Sequence, residues 1–317
     1  MKIFLFICLI FFCTSCQNNN KSTTVSAEAK TANIELSGQK SIKDSKLPFS
    51  ELRHGFITKL TGEKKYNQKA DTPPTNTQIQ LVKFPTAIGD MVAYLSKIPN
   101  DNKLHPAIIW ISGGFGNDIG DVWSLQEAEN DQSVSVFYRS GIITMYPSQR
   151  GGNMNPGSDE SAFGEIDDII AAAEFLRRQK GVDTSRIYLG GHSTGGTKVL
   201  LTAACYHKFK GVFSFGAVPS YGDYGFENLY FDIGNLTEIE LRTPILWLSS
   251  IKTPTWIIEG TEGSSNIMAL TEFEEQAKAK NCQTIRCIPI QGADHFSVLN
   301  PVCKKLAIQI KNNTLKW

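Results

Sequence analysis

Beyond Pro73-Pro74 the chain alternates short apolar runs with stretches of helical period, the pattern of strand-helix crossovers that build a mainly parallel sheet. Ile79 to Phe84 and Met91 to Ile98 read as a hairpin turning at Gly89-Asp90. Ala107 to Ile111, Ile142 to Tyr146, Arg186 to Leu189, Val212 to Gly216, Thr255 to Ile258 and Ile285 to Ile290 read as further strands. Glu165 to Arg178 places Ile166, Ile169, Ile170, Ala173 and Leu176 on a helical face, and Thr197 to Cys205 and Met268 to Lys280 complete the predicted helices. Strands this continuously apolar are covered on both faces. The predicted fold class is therefore α/β, with helices on both sides of the sheet.

Ahead of that body the pattern differs. Lys2 precedes an apolar run from Ile3 to Phe12, roughly 10 residues where a bilayer span needs about 20, so residues 1–15 read as a signal peptide. Cys13-Thr14-Ser15-Cys16 resembles the lipobox of bacterial lipoproteins, which implies lipidation at Cys16 and a body tethered in the cell envelope outside the cytoplasm; simple secretion is the alternative. Residues 16–47 lack a sustained period and read as a flexible tether. Residues 48–77, with Leu52, Phe56 and Leu60, read as an extension with a short helix packing on the body at residues 78–317.

Composition narrows the function. The 317 residues are 41% hydrophobic and 20% charged, a globular profile, and 32 basic against 31 acidic residues provide no field for nucleic-acid binding. Of seven cysteines, Cys205, Cys282, Cys287 and Cys303 lie beyond the leader, and their spacing leaves disulfides and free thiols equally open. Without nearby histidines they do not form a zinc pattern, and neither a metal nor a cofactor is implied.

The segment Arg186-Ile187-Tyr188-Leu189-Gly190 leads into Gly191-His192-Ser193-Thr194-Gly195 and then an apolar helix. A G-x-S-x-G pentapeptide arises by chance in a chain this long roughly once in ten. Strand before and helix after are what make it a nucleophile elbow, in which the serine stands on a tight turn that bulkier neighbours would obstruct. A phosphate loop fails on residue order, because Gly196 is followed by Thr197 before Lys198. Ser193 is the candidate nucleophile.

Among five histidines, His295 is the candidate base: it follows the last strand in Gly292-Ala293-Asp294-His295-Phe296, in the chain order serine, acid, histidine. The acid is expected after Thr255-Trp256-Ile257-Ile258. The position where hydrolases commonly carry Asp is Gly263, so the adjacent Glu262 is the first candidate, with Asp223 and Glu259 as alternatives. Oxyanion donors are expected from the amide of Thr194 and from Gly114 or Phe115 in Gly113-Gly114-Phe115-Gly116.

Together with Pro147-Ser148-Gln149-Arg150-Gly151-Gly152 and the helix start Gly164-Glu165-Ile166-Asp167-Asp168, these motifs resemble the α/β-hydrolase superfamily, in particular the catalytic domain of prolyl oligopeptidase-like serine peptidases and esterases. The resemblance covers roughly residues 78–311. It implies an α/β-hydrolase fold and a serine hydrolase acting on a small ester, amide or short peptide, with Arg150 and Asp168 organising loops beneath the site. No stretch before the body is long enough for the propeller that family peptidases carry. Between Ser220 and Thr253 an insertion with Tyr221, Tyr224, Phe226, Tyr230, Phe231 and Trp247 reads either as a cap over the serine or as a helix on the sheet edge. The alternative function is a non-catalytic hydrolase-fold lipoprotein that binds a ligand or partner, motivated by Gly263.

Overall fold

The computed structural model describes residues 41–316, all within one compact unit. The expected signal peptide and Cys16 lie outside the described residues, as does most of the expected tether. In chain order the described elements are α1 (Phe49–His54), β1 (Ile79–Thr86), β2 (Gly89–Ser96), β3 (His105–Ile111), α2 (Val136–Arg139), β4 (Ile143–Pro147), α3 (Glu165–Arg177), β5 (Val182–His192) and α4 (Thr194–Cys205). They continue with β6 (Gly211–Phe215), α5 (Leu236–Glu240), β7 (Thr255–Gly260), α6 (Ile267–Ala279), β8 (Ile285–Ile290) and α7 (Leu299–Lys311).

Eight strands form one sheet in the order β1-β2-β4-β3-β5-β6-β7-β8. β1 pairs antiparallel with β2 and β2 antiparallel with β4, and the remaining pairs are parallel. This is the expected α/β architecture, and β3 shows why its strands read as unbroken apolar runs. Ala107, Ile109 and Ile111 face the core shared with α3 and α4, while Ile108 and Trp110 face the core shared with α2 and α7. Both layers exclude water, so from Ala107 to Ile111 no position on the strand is free to be polar.

Most predicted elements occupy their expected places, with informative shifts. β5 begins at Val182 rather than Arg186, and α4 begins at Thr194, immediately after the serine. α1 ends where Gly55 follows it, so Leu60 is not helical; it bridges instead to Phe231 of the insertion. The sequence reading assigned no element to α7, although Leu299, Cys303, Leu306, Ala307 and Ile310 recur at helical spacing and are buried. Cys205, Cys282, Cys287 and Cys303 are free thiols.

The insertion divides between its two expected roles. Its second half packs on the body, where Trp247 stacks on Phe49 at 5.0 Å and donates its indole N–H to the Glu240 carbonyl. Its first half, 221–232, reaches the serine. The two are joined by Arg242, fully buried, which pairs with Glu238 at 2.5 Å and lies over the Phe231 ring at 4.1 Å.

Beneath the carboxyl ends of the strands lies a buried polar network. Lys198 of α4 donates to Asn117 Oδ1 at 2.7 Å and Gln149 Oε1 at 3.0 Å, and Asn117 Nδ2 donates to Glu165 at 2.9 Å. Arg150 forms a two-pronged pair with Asp168 at 2.9 Å, the organising role expected of it. Burial pushes the Glu165 carboxyl up, but Lys198 and Arg150 outweigh it and hold the group below the usual carboxylate range. Breaking a buried pair leaves an uncompensated charge. Lys198→Met is therefore expected to lower unfolding stability by about 3–5 kcal/mol, read as a lower denaturant midpoint at unchanged slope; a loss below about 1 kcal/mol would contradict this role for Lys198.

Candidate active site

One residue, Ser193, joins β5 to α4, and its backbone sits at φ 55° and ψ −120°. A non-glycine residue in such a region costs about 1–3 kcal/mol. The neighbouring glycines show what holds the turn closed. A Cβ on Gly191 would stand 2.6 Å from the Gly195 carbonyl oxygen, and one on Gly195 would overlap the Ile111 carbonyl. The Ser193 N–H donates to the Phe215 carbonyl at 2.8 Å, fixing the elbow to the carboxyl end of β6.

His295 comes to the same place from the loop after β8. A Cβ on Gly216, the residue after Phe215, would stand 2.7 Å from His295 Nδ1 and 3.1 Å from Glu259 Oε2, so imidazole and carboxylate meet at the glycine that follows the carbonyl holding the Ser193 N–H. The loop is shaped by Asp294, whose Oδ1 accepts the Ser297 N–H and hydroxyl and the Phe296 N–H, bonds that hold its carboxyl below the usual range. His192 supports it from beneath: Nε2 lies 2.9 Å from the His295 carbonyl and the two rings are 4.6 Å apart. Burial, then the neighbouring His295, pushes His192 down to about 3, so it stays neutral. Because a carbonyl only accepts, the single proton is assigned to Nε2, which agrees with a buried Nδ1 that has no partner.

The expected acid requires correction. Glu262 lies in the exposed loop, where its Oε1 accepts from the Thr261 hydroxyl at 3.3 Å and its N–H donates to Ala293. Asp223 is engaged in a capping box with Ser220. The carboxylate that meets His295 is Glu259: Oε2 lies 3.0 Å from Nδ1, and Oε1 accepts the Gly260 N–H at 2.7 Å. β7 extends two residues past Ile258, so Glu259 is its penultimate residue and is 1% exposed. A Cβ on Gly260 would overlap the Ala293 carbonyl, which shows how closely the strand end approaches the histidine loop. The available sequence signal was a carboxylate at the end of a strand buried on both faces, which demands a partner.

Among the described residues, the amides of Thr194, Gly114 and Phe115 form no hydrogen bond within the protein. Thr194 heads α4, so its N–H carries the helix's positive end. The Thr194 hydroxyl donates to the Gly114 carbonyl at 2.6 Å. In a trans peptide this turns the Phe115 N–H to the opposite side, leaving Gly114 N–H as the better-placed donor of the glycine loop. A further residue, read from the sequence only as part of an aromatic cap, is Tyr224. Its hydroxyl lies 2.8 Å from Thr197 Oγ1, with the Ser193 side chain close by. Burial keeps the phenol well above its ordinary pKa, so it is a donor in the site and not a base. The Phe115 ring meets the Tyr224 ring edge-on at 6.0 Å.

Residues 128–233 match the model of the prolyl oligopeptidase family. Among solved structures, an esterase of Pyrobaculum calidifontis is 18% identical with a TM-score of 0.56, covering 77% of this chain and 88% of its own. A puromycin-hydrolyzing peptidase of Mycobacterium tuberculosis is 18% identical with a TM-score of 0.59, covering 76% of this chain and 40% of its own. An acylaminoacyl peptidase of Pyrococcus horikoshii is 17% identical with a TM-score of 0.56, covering 76% and 42%. No curated protein matches in sequence. At this identity the structural likeness speaks to fold, and the family match supports a serine hydrolase at the level of the family. The protein has the α/β-hydrolase fold and resembles the catalytic domain of prolyl oligopeptidase-like proteins.

Proposed function

We propose that the protein is a serine hydrolase that cleaves a small ester or amide through an acyl-enzyme on Ser193. The observation that carries this is the 3.0 Å contact between Glu259 and His295 Nδ1, beside Gly216, whose preceding Phe215 carbonyl accepts the Ser193 N–H. Glu259 directs the Nδ1 proton outward to its carboxylate, which leaves Nε2 as the lone pair for Ser193. As Oγ bonds to the acyl carbon, its proton passes to Nε2, and the carbonyl oxygen takes up negative charge facing the Thr194 and Gly114 amides. Collapse breaks the bond to the leaving alcohol or amine, which takes the proton back from Nε2. Water then repeats the cycle and releases the acid.

The aromatic walls of Phe115 and Tyr224 favour an apolar or aromatic acyl group. In this reading the leader exports the chain and Cys16 carries the lipid anchor in the cell envelope. The non-catalytic alternative rested on Gly263 at the usual acid position, and a carboxylate on His295 removes that reason for it.

A fluorophosphonate probe is expected to label the wild-type protein and not Ser193→Ala; equal labelling of both would contradict the proposal. With a panel of 4-nitrophenyl esters and aminoacyl amides, Glu259→Gln is expected to lower kcat by about 10⁴-fold, while Glu262→Gln stays within a few-fold of wild type. Loss of activity in the second variant and not the first would return the acid's role to Glu262.

A further inference from the structure

The extension that precedes the sheet does more than pack on the body. Residues 59–66 run as a strap between the insertion and the loop after β4. On one side Thr61 N–H donates to the Tyr230 carbonyl at 3.0 Å, Asp232 N–H to the Lys59 carbonyl at 3.1 Å, and Lys59 N–H to the buried Glu238 at 2.6 Å. On the other side Lys64 N–H donates to the Ser158 hydroxyl at 2.9 Å, Asp159 N–H to the Lys64 carbonyl at 3.0 Å, and Tyr66 N–H to the Gly151 carbonyl at 2.6 Å. A strap pinned along both margins holds its side chains in register.

Two of those side chains converge on one atom. Lys64 Nζ donates to the Phe115 carbonyl, and Tyr66 Oη donates to the same oxygen at 3.2 Å. The ammonium also lies over the Tyr230 ring at 4.8 Å. Burial works against its charge, but Tyr230 and Asp159 outweigh it, so the group remains a charged donor.

The loop that receives these bonds has little to fix it by itself. Gly114 is at φ +98° with open space where a Cβ would be, and the Phe115 side chain is 43% exposed. Glycine lowers the barrier to alternative backbone orientations. Each peptide of the loop must nevertheless face one way, because its N–H points opposite to its carbonyl. The Gly114 carbonyl is taken by Thr194 and the Phe115 carbonyl by the strap, so the two peptides that follow the Gly114 N–H are both held, and they fix the backbone through which that N–H is aimed.

We propose that Lys64 and Tyr66 are positioning residues for catalysis: by clamping the Phe115 carbonyl, the strap sets the orientation in which the glycine loop presents its amide to the developing oxyanion. This rests on the acyl-enzyme reading of Ser193. The clamp touches neither Ser193 nor His295, so it acts on the loop and not on proton transfer. Its contribution grows as charge develops on the carbonyl oxygen, and it therefore appears in kcat more than in KM.

The test uses the chain as it exists, 4-nitrophenyl acetate as substrate and a small fluorophosphonate as a second readout. Lys64→Met and Tyr66→Phe are each expected to lower kcat, and the double variant to lower it by about 10²-fold, with KM within threefold and phosphonylation slowed in parallel. Lys64→Arg, which keeps a charged donor, is expected to recover much of the rate. Thermal unfolding of each variant, and rates expressed per site that phosphonylates, separate lost catalysis from lost folding. An unchanged kcat in the double variant, or a rise in KM alone, overturns the clamp. Ser193→Ala run alongside keeps the two readings apart: wild-type rates in that variant defeat the acyl-enzyme, whereas an inactive Ser193→Ala beside an unimpaired double variant defeats only the clamp.

Discussion

A carboxylate at the end of a strand buried on both faces has to be met by a partner, and in this fold the partner is an imidazole. The bond from Glu259 to His295 ties the last turn of backbone in β7 to the loop after β8. It does so beside Gly216, where β6 ends, so three neighbouring strands deliver their carboxyl termini to one point. The second carboxylate oxygen is occupied by the Gly260 N–H, which leaves Glu259 no room to turn away. Ionic, hydrogen-bonding and steric demands thus agree on one geometry, and the elbow at Ser193 stands next to it.

Much of this was legible in the chain itself. Alternating apolar runs gave the sheet, and glycines spaced two apart around Ser193 marked the turn because only residues without a Cβ allow that backbone approach. His295 followed from chain order. The acid was legible only as an alternative: with β7 expected to end at Ile258, Glu262 in the loop beyond ranks ahead of Glu259, whereas pairing with β8 continues through Gly260. Helix α7 was missed although its buried positions recur every three or four residues. The role of Tyr224 was hidden for a different reason: nothing in a tyrosine-rich insertion says which ring will reach the serine, since that depends on how residues 221–232 are anchored. Likewise, Lys64 and Tyr66 meet Phe115 only because the strap pairs with segments some 90 and 170 residues away, and no local pattern encodes such a register.

Below the site, polarity is arranged so that it resists movement. Lys198, one turn beyond Ser193, holds Asn117 from the segment that follows the glycine loop, and Asn117 in turn holds Glu165 of α3. Helix α4, the segment after the glycine loop and helix α3 are therefore linked by hydrogen bonds inside a region closed to water. Glu165 Oε1 and both oxygens of Asp168 are engaged in these bonds, while Glu165 Oε2 is buried without a hydrogen-bond partner.

The most direct measurement of the central claim is a crystal structure of the protein after reaction with a small fluorophosphonate. The expected structure shows a covalent bond from Ser193 Oγ to phosphorus, the phosphonyl oxygen within hydrogen-bond distance of the Thr194 N–H, and His295 still paired through Nδ1 with Glu259. Phosphorus on another residue, or an imidazole turned away from both Ser193 and Glu259, would contradict it.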